Sequence, residues 1–341
     1  MIRALPRDPW GRDLRGKLHQ ITFESKLLVG NPLGDPSTRP LWIYTPPRWS
    51  ERAATPAIYC LQGMTGQVDM WQNRTAFQPT FVEAVDAQIA GGECPPVVLV
   101  MPDCWTSYGG SQFLDSAATG HYASYVCEEI VAHVDAHFRT VPTPSGRAVM
   151  GKSSGGYGAL VLGMRRPDLF GALGAIAADS AFEFNMLPEL PVAWATLRTF
   201  DGDIDRFWAA MRTRSTLSSS DFAAVNCIAM SACYSPSADG APLLPFDTDG
   251  RLREDIWARW LEQDPARLAP THLPALRQLR HIAIEAGLRD EFHSYMGAQQ
   301  IHAELTRANI AHRFELFDGG HFNLTHRSVA MAVELARSLL A

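Results

Sequence analysis

The chain has 341 residues, 46% of them hydrophobic, and a formal net charge of −6 at neutral pH. That length and apolar content can bury one large core, and the acidic balance without a basic patch argues against binding nucleic acid. No apolar span is long enough to cross a bilayer, residues 1–10 lack the apolar centre of a signal peptide, and the six cysteines include no C-x-x-C pair. These features predict a cytoplasmic protein with no membrane contact, whose thiols are reduced and neither bridge nor hold zinc.

Residues 20–24 and 41–45 read as an antiparallel edge of a sheet, joined by a Gly/Pro-rich connection. Residues 58–61 form the next strand, which runs into the small, flexible loop Gln62-Gly63-Met64-Thr65-Gly66, where a ligand can approach the carboxyl edge of a sheet. A helix over 79–90 carries Phe81, Val82, Val85 and Ile89 on one face, and the apolar strand 97–101 follows and ends in Pro102-Asp103. The spacing of Tyr122, Val126, Ile130 and Val134 predicts a long helix over 122–138.

The stretch Gly151-Lys152-Ser153-Ser154-Gly155 lies between a short apolar strand, 147–150, and a helix over 155–164 rich in Ala, Leu and Gly. A G-x-S-x-G motif in that context is a nucleophile elbow. The serine is held on a sharp turn above the sheet, and the next residue opens a helix whose free N–H can face an oxyanion. The same letters, from Gly146, also fit the phosphate-loop pattern G-x-x-x-x-G-K-[ST]. That pattern requires its strand before the first glycine, and here the strand follows it.

Another apolar strand lies within 172–177, and about a hundred residues separate it from the next, 281–285. A connection so long must be an insertion, predicted as a helical cap over about 182–270 within a single domain, 1–341. It contains amphipathic helices around Ile204, Phe207, Trp208 and Met211 and around Ile256, Trp257, Trp260 and Leu261. Its aromatic residues are expected to narrow the substrate pocket and favour short acyl groups. A helix over 295–308, a strand over 312–317, the loop Asp318-Gly319-Gly320-His321 and a terminal helix complete the chain.

A serine hydroxyl needs an imidazole to take its proton and an acid to fix that imidazole. His321 and Asp290 each follow a strand, in the chain order Ser, acid, His expected of sheet-based hydrolases. Glu291, beside the acid, is expected to face solvent or start a helix. Asp179 competes for the acid role, and its alternative is to cap the first cap helix. His326 lies nearer the final helix. His133 and His137 have helical spacing but no third metal ligand near in sequence, and no metal is expected.

Tyr44-Thr-Pro-Pro47, Leu61-Gln-Gly63, Val100-Met-Pro-Asp103, Thr119-Gly-His-Tyr122, the elbow through Ala159, Arg166-Pro-Asp-Leu-Phe-Gly171, Gly287-Leu-Arg-Asp-Glu291 and Gly319-Gly-His321 together carry a family resemblance. The chain resembles the esterase family that includes esterase D (S-formylglutathione hydrolase), feruloyl and acetylxylan esterases, enterochelin esterases and mycolyltransferases. The resemblance implies an α/β-hydrolase fold, a mostly parallel central sheet with helices on both faces. It places the nucleophile on Ser153, the acid on Asp290, the base on His321 and the oxyanion-hole amides on Met64 and Ser154, with no cofactor. The chain departs from the family at Gln62, Lys152 and Ser154, where histidine, histidine and methionine are more usual. The expected function is hydrolysis of small-molecule carboxylic esters, with short acyl groups, through an acyl-enzyme. The alternatives are an acyltransferase or thioesterase using the same triad, or an inactive hydrolase-fold binding module; homo-oligomerisation is left open.

Overall fold

The computed structural model describes residues 13–51, 54–74 and 78–340. Residues 1–10, read above for a signal peptide, lie outside them. The strands are β1 (Lys17–Glu24), β2 (Thr38–Thr45), β3 (Ala57–Leu61), β4 (Val98–Pro102), a short hairpin β5 (Asp115–Ser116) and β6 (Gly120–His121), β7 (Arg147–Lys152), β8 (Ala172–Ile176), β9 (His281–Gly287) and β10 (Arg313–Phe317). Eight of them make one sheet in the order β1-β2-β4-β3-β7-β8-β9-β10. It is antiparallel only where β2 pairs with β1 and β4. The remaining pairs are parallel.

β3, β4 and β8 are buried along their whole length because helices cover both sheet faces, so their sequences read as unbroken apolar runs. One face meets α1 (Phe81–Ala90) and the terminal α13 (Thr325–Ser338), through Val82, Val85, Met331 and Leu335. Thr80 starts α1 with a reciprocal capping box to Glu83. The other face meets the helical run from Tyr122 to His137, the elbow helix α4 (Ser154–Arg165) and α12 (Ser294–Arg307). That run is α2 (Tyr122–Ser124), a π-helical segment Tyr125–Ile130, and α3 (Val131–His137). The wide π turn brings residues four apart, Tyr122, Val126, Ile130 and Val134, onto one buried face, an interval an α-helix would let drift.

The connection from β8 to β9 is helical: α5 (Phe182–Asn185), α6 (Leu190–Arg198), α7 (Ile204–Met211), α8 (Ser219–Tyr234), α9 (Glu254–Leu261), α10 (Pro265–Leu268) and α11 (Leu273–Leu276). α7 and α9 cover the two amphipathic stretches read from sequence. α8, the longest helix of the connection, has no such stripe because it is buried from Ala223 to Tyr234, and a helix apolar all round gives no periodic signal. The aromatic residues Phe207, Trp257 and Trp260 pack with Tyr157 of α4 in a core of their own. The start and end of the connection are tied together by Asp264, whose carboxylate accepts from the N–H groups of Ala181 (2.8 Å) and Phe182 (2.9 Å). The cap of α5 is therefore Asp264, not Asp179. Among the described residues, no helix is long and apolar enough to cross a membrane.

Candidate active site

Ser153 stands at the end of β7, at φ 60° and ψ −127°, a backbone conformation that side chains other than glycine rarely adopt. The turn can be this sharp because its flanks lack side chains. A Cβ on Gly155 would fall 2.1 Å from the Leu61 carbonyl oxygen, and one on Gly151 would fall 2.3 Å from Gly155. The strand runs from Arg147 through Lys152, beyond the point where a phosphate loop would have to leave it, so the nucleotide reading has no structural basis here.

The structure brings Ser153, His321 and Asp290 into one hydrogen-bonded line. His321 Nε2 lies 3.0 Å from Ser153 Oγ, and its Nδ1 lies 2.8 Å from Asp290 Oδ2. Asp290 and His321 are each 3% exposed, so the pair is shielded from water that would weaken it. The Asp290 carboxylate also accepts from Ser294 Oγ (2.6 Å) and the Phe292 N–H (2.8 Å). Burial pushes this carboxyl up, but the bonds from His321, Ser294 and Phe292 outweigh it and hold Asp290 below the usual aspartate value. The His321 ring is braced edge-on by Phe292 and Phe322.

Glu291 has a more particular place than its sequence position suggests. Its side chain is exposed, yet its carboxylate accepts from the His321 backbone N–H at 2.8 Å and so pins the histidine loop. His326 is exposed at the start of α13. The His133 and His137 rings stack on one another, and no cluster of three or more metal-ligating side chains occurs among the described residues.

The loop after β3 lies against the elbow: the position of a Cβ on Gly63 is 3.6 Å from the Ser153 Cβ. Met64 and Ser154 both line the cavity that opens at Ser153, and neither backbone N–H donates to another described residue. Ser154 is the first residue of α4, so its N–H has no helical acceptor and the positive helix end stands behind it. Asp103 fixes this loop from below: it pairs with the buried Arg39 and accepts from the Val68 and Trp105 N–H groups. Gln62, oriented to satisfy both ends of its amide, donates to the Pro102 carbonyl and accepts from the Cys104 N–H.

The cavity has a volume of about 470 Å³, and its walls include Trp71, Phe81, Phe222, Phe292 and Phe322. Of these aromatic side chains only Phe222 comes from the helical connection; the others belong to the sheet domain. The expected narrowing by cap aromatics is thus carried by one residue. Lys152 also lines the cavity, with its ammonium 5.5 Å from the Phe322 ring centroid; burial lowers its pKa, against the pull of Asp179, Asp290 and Glu291.

Asp179 is the functional candidate whose surroundings differ most from its sequence reading. It is 6% exposed and accepts at Oδ2 from Ser154 Oγ (2.9 Å) and Gln112 Nε2 (3.4 Å). Burial raises its pKa, an effect that nearby His321 and these two donors oppose. It makes no hydrogen bond to the His321 ring, whose Nδ1 is taken by Asp290.

A family model described as "Putative esterase" matches residues 36–329. Mouse S-formylglutathione hydrolase is 27% identical over 143 residues, a match covering 40% of this chain and 50% of that protein, so the chain spans about half the length of this relative. Among solved structures, a ferulic acid esterase superposes with a TM-score of 0.62 at 18% identity, covering 96% of this chain and all of that one. An S-formylglutathione hydrolase from Agrobacterium tumefaciens superposes with a TM-score of 0.58 at 16% identity, covering 97% of each chain. At these identities the superpositions show a shared fold, that of a mostly parallel sheet flanked by helices.

Proposed function

The chain belongs to the Putative esterase family, and from that premise we propose that it is a serine carboxylesterase acting on small-molecule esters through Ser153, His321 and Asp290. The observation that carries this reading is the continuous line Ser153 Oγ, His321 Nε2, His321 Nδ1, Asp290 Oδ2, with contacts of 3.0 and 2.8 Å. Asp290 holds the proton on Nδ1, which leaves Nε2 free to accept the serine proton. Ser153 Oγ attacks the ester carbonyl, and the oxygen that becomes negative is held by the Met64 and Ser154 amides. The carbonyl re-forms, the alcohol leaves with the proton from Nε2, and an acyl-Ser153 remains. Water, deprotonated by His321, attacks this ester in turn, and the acid is released with Ser153 restored. Removing one oxyanion donor from such a site costs about 3 kcal/mol of transition-state stabilisation.

The bounded cavity supports small acyl groups, and the six buried free thiols suit a cytoplasmic setting. The helical connection from about 182 to 270 serves as a cap within a single domain, its ends joined through Asp264. The test is a panel of p-nitrophenyl esters of rising acyl length with matched thioesters and competing alcohols. Hydrolysis of the short oxygen esters is expected, abolished in Ser153→Ala. Undiminished hydrolysis by Ser153→Ala overturns the reading, and acyl transfer to alcohol in preference to water moves it to an acyltransferase.

A further inference from the structure

One polar group in the cavity wall has no part in the proposed proton relay. Asp179 sits just past β8 on the cavity that opens at Ser153, and both of its protein hydrogen bonds, from Ser154 Oγ and Gln112 Nε2, go to Oδ2. Among the described residues nothing donates to or accepts from Oδ1, although the residue is only 6% exposed. Oδ1 is not sealed within the protein but open to the cavity, so its partner must come from whatever fills that space, and a ligand that excludes water without pairing it would leave the oxygen unsatisfied at a cost. Asn226 also lines this cavity; it is 8% exposed, and its side-chain amide has no hydrogen bond to a described residue. The cavity is therefore not a purely apolar acyl slot. Its lining includes Asp179 and Asn226, which have unspent hydrogen-bonding capacity, as do Asn185 Oδ1 and Trp71 Nε1.

We propose that Asp179 is a specificity-determining residue that selects esters bearing a hydroxyl near the reacting carbonyl, with Oδ1 as the hydroxyl's partner and Asn226 as a second contact. The inference rests on the serine-esterase reading above. A hydroxyl is the group that fits this wall whichever charge state the carboxyl holds. If Asp179 is ionised, Oδ1 accepts from the hydroxyl. If it is neutral, the proton belongs on Oδ1, because Oδ2 is already an acceptor twice over, and Oδ1 then donates to the hydroxyl oxygen. A substrate ammonium fits only the first state and a substrate carboxylate only the second. The Asn226 amide, with both a donor and an acceptor, suits a hydroxyl in the same way. A site built to hydrogen-bond a substrate hydroxyl discriminates against the analogue lacking it, because its own buried groups are then left unpaired.

The hydroxyl can sit on the acid or on the alcohol of the ester, and two arms separate these sources. In the first, kcat/KM is compared for p-nitrophenyl 3-hydroxybutyrate and p-nitrophenyl butyrate; in the second, for glyceryl monobutyrate and propyl butyrate. A preference of about tenfold or more for the hydroxylated ester is expected in one arm, the size expected of one hydrogen bond to a buried charged or polar group. The preference should fall to near unity in Asp179→Leu and persist in Gln112→Met, which removes one of the carboxyl's two protein partners while leaving Oδ1 in place. Asp179→Ala gives the same comparison should the leucine variant not fold. A ratio near unity in both arms for the unaltered protein, or a preference that survives loss of the Asp179 carboxyl, overturns the proposal while leaving esterase activity intact. Absence of hydrolysis for all four esters overturns the underlying esterase reading, and the proposal with it.

Discussion

Replacing Asp290 with asparagine removes a charge and places an amide among three donors, and the structure dictates how that amide must lie. The Phe292 N–H, 2.8 Å from Oδ1, requires an oxygen there, so the NH₂ takes the place of Oδ2, facing Ser294 Oγ and His321 Nδ1. An NH₂ donating to Nδ1 drives the imidazole proton onto Nε2, where it blocks acceptance of the Ser153 proton. Turning the amide over restores the tautomer but sets its NH₂ against the Phe292 N–H, an unpaired buried donor costing about 1–3 kcal/mol. At most about one molecule in six then holds the active tautomer, and those lack the negative charge that steadies the imidazolium. We therefore expect kcat/KM for p-nitrophenyl acetate to fall roughly a thousand- to ten-thousand-fold. The far-UV circular dichroism spectrum should be unchanged. A folded Asp290→Asn retaining activity within about tenfold, alongside a thousand-fold loss in Asp179→Asn, would refute the argument and move the acid to the end of β8.

Gly155→Ala should destabilise the protein by about 3 kcal/mol or more in urea unfolding, since its Cβ would have to displace the Leu61 backbone rather than a pliable side chain; an unchanged midpoint would contradict the elbow packing. Asp264→Ala leaves the Ala181 and Phe182 N–H groups without acceptors, and about 2–4 kcal/mol of lost stability is expected by the same measurement. Two buried carboxyls give opposite pH signatures. Asp290, held below 3.8, contributes stability that is present above its unfolded value and lost as pH falls through its depressed one. Asp179, raised above 3.8 by burial, favours the fold while protonated and loses that contribution as pH rises through its raised value. The melting temperature of Asp179→Asn relative to the unaltered protein should therefore increase as pH rises above about 4, whereas a difference that stays constant with pH would mean that the Asp179 shift is absent.

What the sequence made legible follows from how local each signal is. β3, β4, β7 and β8 stand out because burial on both faces demands continuous apolar runs, and the elbow stands out because a strained serine between strand and helix needs small neighbours. α8 was invisible because burial on every side erases the amphipathic stripe, and the π segment because periodicity marks a face without fixing the hydrogen-bond register within it. Asp264, Glu291 and Asp179 show the limit more sharply. Each carboxylate acts on backbone or side-chain groups brought to it by the tertiary fold: Asp264 on residues 83 and 82 positions away, Glu291 on one 30 away and Asp179 on Ser154, 25 away. No spacing rule reaches across such separations. The same is true of the partnership of Asp290 with His321, which chain order suggests but only the pairing of β9 with β10 brings within hydrogen-bonding distance.

Covalent labelling locates the nucleophile itself. The purified protein is treated with a fluorophosphonate, digested and mapped by mass spectrometry, with Ser153→Ala in parallel. One adduct is expected, on Ser153, formed together with loss of esterase activity and absent from Ser153→Ala. An adduct on another residue that tracks the loss of activity, or full inactivation of Ser153→Ala by the same reagent, would contradict the assignment of Ser153 as the nucleophile.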